Sequence, residues 1–179
     1  MSLIFITGIA GSGKTAISKE LAARGYEAYD TDKDGITGWF NKVSGERVQS
    51  PKADWSHRTA EWYSQHDWDT SLDAVKKLAN QAKTKPIYLC GTSSNRQAVM
   101  KLCSLVIGLQ VNEDVLRYRI ATRKNPFGKQ PHELENILGW HRASEDADRQ
   151  AGAIMVDANR PMAAVVDEIL KLTQGFTRV

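Results

Sequence analysis

Gly8, Gly13, Lys14 and Thr15 occupy the fixed positions of the pattern G-x-x-x-x-G-K-[ST], here Gly8-Ile9-Ala10-Gly11-Ser12-Gly13-Lys14-Thr15. Glycines let a chain curl tightly, so that several backbone N–H groups converge on one anion. A helix beginning at Gly13 adds its positive dipole end. The lysine supplies a point charge for the β- and γ-phosphates of a nucleotide, and the threonine hydroxyl a ligand for Mg²⁺. Gly8, Ala10, Gly11, Ser12, Gly13, Lys14, Thr15 and Ala16 are therefore expected around a phosphate chain. A flexible Gly/Ser linker is the alternative. The context opposes it: the apolar run Leu3–Thr7 precedes the loop, and the helix-like stretch Ala16 to Arg24 follows.

A pair of carboxylates comes next, in Asp30-Thr31-Asp32, with Asp30 sixteen residues past Lys14. A carboxylate at the end of a strand beside such a loop can hold Mg²⁺ or its waters. A second one two residues on falls on the same side of an extended chain. There it can orient an attacking hydroxyl or take its proton. A solvated acidic turn is the plainer reading, and the neighbouring loop weighs against it. No Asp ends the run Pro86–Cys90, so the metal is expected on Thr15 and Asp30. After that run, Gly91-Thr92-Ser93-Ser94-Asn95 has two open readings. It presents N–H and O–H groups to an acceptor, or Ser93 or Ser94 caps a helix over Asn95 to Leu102.

Arg117 and Arg119 lead into a basic segment with two prolines and a glycine, Thr122 to Pro131, at whose start Arg123 lies, and Arg142 and Arg149 follow it. Mobile arginines stabilise the charge that phosphoryl transfer spreads over equatorial oxygens. A solvated basic face is the alternative for any one of them. Trp39, Trp55, Trp62 and Trp68 lie within thirty residues. They are either a small satellite core or a pocket for a planar or sugar-like ligand. His57 and His66 lack metal-ligand spacing and are read as surface or packing residues.

The elements that must position these groups are five apolar runs alternating with helical patterns: Leu3–Thr7, Tyr26–Tyr29, Pro86–Cys90, Leu105–Val111 and Ala153–Val156. Alternation of this kind predicts βαβ units, a parallel sheet with helices on both faces, and a ligand crevice at the carboxyl ends of the strands. Two regions interrupt it, about 33–69 and 122–131, and both read as excursions that close over a substrate. The chain has 179 residues, which suits one α/β domain over 1–179. A net charge of +3 does not by itself argue for nucleic acid, and no apolar run reaches the roughly 18 residues needed to span a bilayer. The first run leads straight into the glycine loop and is read as a core strand, not a leader. Cys90 and Cys103 make no metal spacing, and a reduced, cytoplasmic setting is expected.

With these motifs in place the chain resembles the small P-loop kinases: shikimate kinase, adenylate kinase and gluconate kinase. The resemblance implies a five-stranded sheet in the order 2-3-1-4-5, ATP and Mg²⁺ as donor and metal, and a lid at about 122–131. It places Asp30 at the metal and Asp32 on the acceptor hydroxyl. Arg58, in Arg58-Thr59-Ala60-Glu61, is similar to the acceptor-binding Arg-x-x-Glu, and Gly91 stands where those kinases carry a glycine-rich run. Arg119 and Arg123 match an Arg-x3-Arg before the lid, implying adenine and phosphate contacts; Arg142 resembles the arginine after it, and Arg160 flanks adenine. Lys14, Asp32, Arg123 and Arg142 are thus the catalytic candidates. The activity implied is transfer of a γ-phosphoryl group to a small-molecule hydroxyl or a nucleoside (mono)phosphate. A nucleotide-binding switch acting through a protein partner, and a polynucleotide end kinase, are the competing readings.

Overall fold

The computed structural model describes residues 2–49 and 59–177. Its centre is β1 (Leu3–Thr7), all five residues of which are buried. Alternate side chains serve opposite layers. Leu3 and Phe5 pack with Val75, Leu89 and Met100, while Ile4 and Ile6 pack with Ile17, Leu21, Val166 and Ile169. A strand buried on both faces reads as a continuous apolar run, which is why it is legible without alternation.

Four more strands flank it: β2 (Glu27–Asp30), β6 (Ile87–Cys90), β7 (Leu105–Gln110) and β8 (Ile154–Asp157). All pair in parallel, in the order β2-β6-β1-β7-β8. Counting only these five along the chain, that is the expected order 2-3-1-4-5. The crossovers are α1 (Lys14–Ala23), α3 (Leu72–Gln81), α4 (Arg96–Met100), α5 (Glu113–Thr122) with α6 (Pro131–Gln150), and α7 (Met162–Thr177) closes the chain. Ser71 caps α3 by accepting from Ala74 N at 3.3 Å.

A second sheet was not expected. β3 (Thr37–Asn41), β4 (Arg47–Val48) and β5 (His66–Thr70) form an antiparallel sheet in the order β4-β3-β5, with α2 (Ala60–Gln65) before β5. Trp39 pairs with Trp68 across it, the aromatic pairing that stabilises such ladders. Trp62, Tyr63 and His66 complete the cluster: Trp39 lies 4.7 Å from Trp62, 5.7 Å from Tyr63 and 5.2 Å from Trp68, centre to centre, while Trp62 stacks on His66 at 4.4 Å. Three of the four tryptophans are thus packed on one another, half-buried, as a satellite core. Trp55 and His57 lie outside the described residues.

Two local expectations need correction. Neither Ser93 nor Ser94 caps α4, which is only five residues long with Asn95 at its N-cap. The Ser93 hydroxyl is committed elsewhere, to Thr70 and Asn95. Nor does the chain stay extended past Asp30. Its Oδ1 accepts from the amides of Asp32 and Lys33, both at 3.2 Å, and turns the backbone.

Candidate active site

The loop Gly8–Thr15 joins the carboxyl end of β1 to α1. Gly11 and Gly13 hold φ of 94° and 109°, a region costly for any residue with a Cβ. The Gly13 turn aims the first amides of α1 into the loop's hollow. Lys14 reaches back over it and donates to Gly8 O at 2.6 Å and Ile9 O at 2.9 Å. Burial pulls the Lys14 ammonium from 10.5 down to about 8, against the charges of Asp32 and Asp30, which raise it. Asp32 is the strongest charge acting on it, so the second carboxylate shares the site of the lysine. Thr15 is exposed at the helix start, and Ala16 N donates to Gly13 O at 2.9 Å. Ala10 packs beside the cluster of Ile9, Leu116 and Ile120.

Asp30 is buried, 7% exposed, and its Oδ2 has no hydrogen-bond partner. A desolvated carboxylate oxygen with nothing to accept from is costly unless a cation or donor meets it. The unpartnered oxygen of Asp30 would suit a cation such as Mg²⁺. No group of three or more His, Cys, Asp or Glu able to hold a metal occurs among the described residues. Asp32 stands at the mouth. Burial, then the Asp30 charge, raises its carboxyl above the usual range; Lys14 and the Trp68 indole oppose this.

Gly91 keeps the floor open for Thr31. A Cβ at Gly91 would lie 2.1 Å from the Thr31 hydroxyl oxygen. Its N–H is spent, donated to Ile6 O at 3.0 Å, so Gly91 offers no amide to an acceptor.

The arginines divide. Arg119 donates to Ser12 O at 3.1 Å and Ala158 O at 2.7 Å, tying the loop to the turn after β8. A Cβ placed on Gly13 would meet Met162 and Arg119, at 3.6 and 3.8 Å. Arg123 is the C-cap of α5: its N–H donates to Arg119 O at 3.1 Å, so its side chain leaves on the Arg119 face while the chain beyond turns extended. One of its terminal nitrogens donates to Phe127 O, its Nε is buried without a partner, and its charge reaches Lys14. Burial holds both guanidiniums below their ordinary range. Arg160 is held by Glu168 and Asp157. Arg142 is exposed on α6 and bonds to none of the loop residues. Arg117 and Arg149 pair locally with Glu113 and Asp146. Arg58 lies outside the described residues.

The segment 122–131 folds against its neighbours. Phe127 joins the cluster of Leu116, Ile120 and Ile137, and Gly128 N donates to Glu133 Oε2 at 2.8 Å. Sequence reasoning missed Asn95, whose side chain joins the second sheet to the turn after β6. Its position right after a core strand was the one available signal. A cavity of about 560 Å³ lies beside that sheet, lined by Phe40, Asp67, Asp69, Asp73 and Lys76 among others, but by no P-loop residue.

A parallel sheet in this order, with a glycine loop and lysine at the end of its central strand, defines a P-loop phosphate-binding protein. The fold is that of the small P-loop kinases. Shikimate kinase from Acinetobacter baumannii, solved with shikimate, superposes with a TM-score of 0.60 over 98% of this chain and 94% of its own, at 14% identity. Deoxyadenosine kinase from M. mycoides gives 0.56 over 97% and 99%, at 16% identity. A gluconokinase from Sinorhizobium meliloti 1021 gives 0.54 over 98% and 93%, at 20% identity. Residues 4–150 match the family described as AAA domain, and the chain belongs to that family. No curated protein matches it. Among the described residues, no helix is long and apolar enough to cross a membrane.

Proposed function

We propose that the chain transfers the γ-phosphoryl group of ATP to a hydroxyl of a small-molecule acceptor. One observation carries this reading: Asp32 lies exposed two residues past the buried, unpartnered Asp30, near enough to the P-loop lysine for its charge to act on it. A site that only binds or slowly hydrolyses a nucleotide needs no such group. The kinase-like fold supports it, and the neighbours named above act on gluconate, shikimate and a deoxynucleoside by their names.

The chemistry asks little covalent work of the protein. Lys14 leaves Gly8 O and Ile9 O for the β- and γ-phosphates, exchanging two carbonyl acceptors for charged ones. The loop amides hold the phosphate chain, and Arg119 the purine end. Thr15 and Asp30 would hold Mg²⁺, whose charge offsets that of the phosphates. Asp32 accepts the hydroxyl's hydrogen bond and takes its proton as the oxygen attacks. Arg123 turns from Phe127 O onto the transferring group when 122–131 closes as a lid, expelling water. Arg142 takes part only if α6 swings inward with the lid, and Arg160 only if it leaves Glu168. A cytoplasmic setting, with ATP at hand, belongs to the same reading.

The test is ADP release with ATP, Mg²⁺ and a panel of gluconate, shikimate, deoxyadenosine and simple hexoses. Release above the water background with one of them is expected. Release that no acceptor raises overturns the reading in favour of a nucleotide switch.

A further inference from the structure

The second sheet is attached to the core by a polar knot. The Asn95 side chain lies edge-on to the Thr70 peptide: Thr70 N donates to Asn95 Oδ1 at 3.0 Å, and Asn95 Nδ2 donates to Thr70 O at 2.9 Å. One carboxamide thus mimics a strand partner for β5. The Asn95 backbone N–H donates to Asp69 Oδ1 at 3.0 Å, and Ser94 N to Trp68 O at 2.9 Å. A row of hydroxyls runs behind these, Thr37 to Thr70 at 2.9 Å, Thr70 to Ser93 at 2.9 Å, and Ser93 to Asn95 Oδ1 at 2.8 Å. Thr37, Thr70 and Ser93 are buried, so each hydroxyl needs its partner.

Trp68 is bracketed by this knot through its own carbonyl and through the two residues after it. Its ring belongs to the Trp39 cluster, 5.2 Å from Trp39 centre to centre, and its side chain is near enough to Asp32 to help hold that carboxyl's pKa down. The turn 93–95 therefore decides where the tryptophan face stands relative to the carboxylate at the mouth.

We propose that Asn95 is a positioning residue for the phosphoryl acceptor: it seats the second sheet so that Trp68 stands beside Asp32, and the tryptophan face becomes the wall on which a ring-bearing acceptor lies. The proposal rests on the kinase reading. An acceptor whose hydroxyl meets Asp32 brings its ring against Trp68, and flat or CH-rich rings gain most from an indole surface. Shikimate and deoxyadenosine carry such rings; gluconate, an open chain, does not.

The test uses the full chain with Asn95→Ala, Asn95→Asp and Trp68→Leu. Amide hydrogen exchange should quicken at least tenfold over 37–41 and 66–70 in Asn95→Ala, with β1 and β6 unchanged, and less in Asn95→Asp, which keeps the acceptor oxygen. The KM for a ring acceptor should rise about tenfold in Asn95→Ala and Trp68→Leu, with the KM for ATP within twofold of wild type. Faster exchange throughout the chain makes Asn95 a general prop and overturns the proposal. So does an acceptor KM that stays put while the sheet loosens, or an active wild type that prefers gluconate to both rings. A wild type inert toward every acceptor removes the kinase reading itself, and that control tells the two failures apart.

Discussion

The two sides of the crevice treat buried polar atoms in opposite ways. Around the knot of Thr37, Thr70, Ser93 and Asn95 every buried side-chain oxygen and nitrogen finds a partner. Around the P-loop they do not. Among the described residues, the buried side-chain atoms without a partner are Thr7 Oγ1, Ser12 Oγ, Asp30 Oδ2 and Arg123 Nε. Thr7 stands just before the glycine loop and Ser12 within it, Asp30 at the proposed metal position and Arg123 at the proposed lid base. Orphaned buried groups cost about 1–3 kcal/mol each. A fold that concentrates them at one place has kept that place for a ligand, while a saturated network fixes shape. On the proposed reading, the donor side is built to be completed and the acceptor side to hold still.

The sharpest way to break this comparison is Lys14→Ala. Phosphoryl transfer should fall about a thousandfold, since the lysine meets the transferring group itself. Calorimetry should show most of the ATP affinity gone. Unchanged turnover in the folded variant would mean that the unsatisfied side is not the donor side. Asp32→Asn comes second. It should keep ATP binding and lose transfer about a hundredfold, the usual worth of a positioned base. Lost ATP affinity with surviving turnover would show the two carboxylates assigned the wrong way round.

The donor side was legible in the sequence because its chemistry is local. Four residues within eight fix a loop whose geometry owes little to the rest of the chain, and Asp30 is named by the strand it ends. The five core strands were legible because double burial leaves unbroken apolar runs. The acceptor side was not legible. β3 and β5 find each other across more than twenty residues, and in His66–Thr70 only Trp68 is strongly apolar, so the alternation that marks a half-buried strand barely shows. The Asn95 side chain completes a ladder, and nothing in a local pattern separates such an asparagine from a helix cap.

Asp30→Asn sharpens the donor side further. An amide can still occupy the position but offers the metal no charge. The Mg²⁺ concentration for half-maximal activity should rise about tenfold, with the acceptor KM unmoved. An unaltered Mg²⁺ requirement would leave the Asp30 Oδ2 orphan without its explanation.

The smallest expected effect concerns the Lys14 proton. Burial lowers its pKa from 10.5 to about 8, so the free protein begins to lose the charge above that pH. The phosphates of ATP favour the charged form and raise the pKa again once bound. kcat/KM for ATP reports the free enzyme, so it should bend downward above about pH 8 and stand about fourfold lower by pH 8.5. kcat, which reports the complex, should stay level further into the alkaline range. ATP binding above pH 8 should also take up a proton, visible as a buffer-dependent heat in calorimetry. Stability moves the other way. Between about 8 and 10.5 the unfolded chain holds a proton that the folded chain has released, so this group makes the fold more stable as pH rises. Lys14→Met should lack that rise when its urea midpoint is compared with wild type over the same range. Lys14→Arg, always charged, should lose the alkaline bend in kcat/KM. A bend that survives in Lys14→Arg belongs to some other group, and the buried lysine is then not what sets the donor side's response to pH.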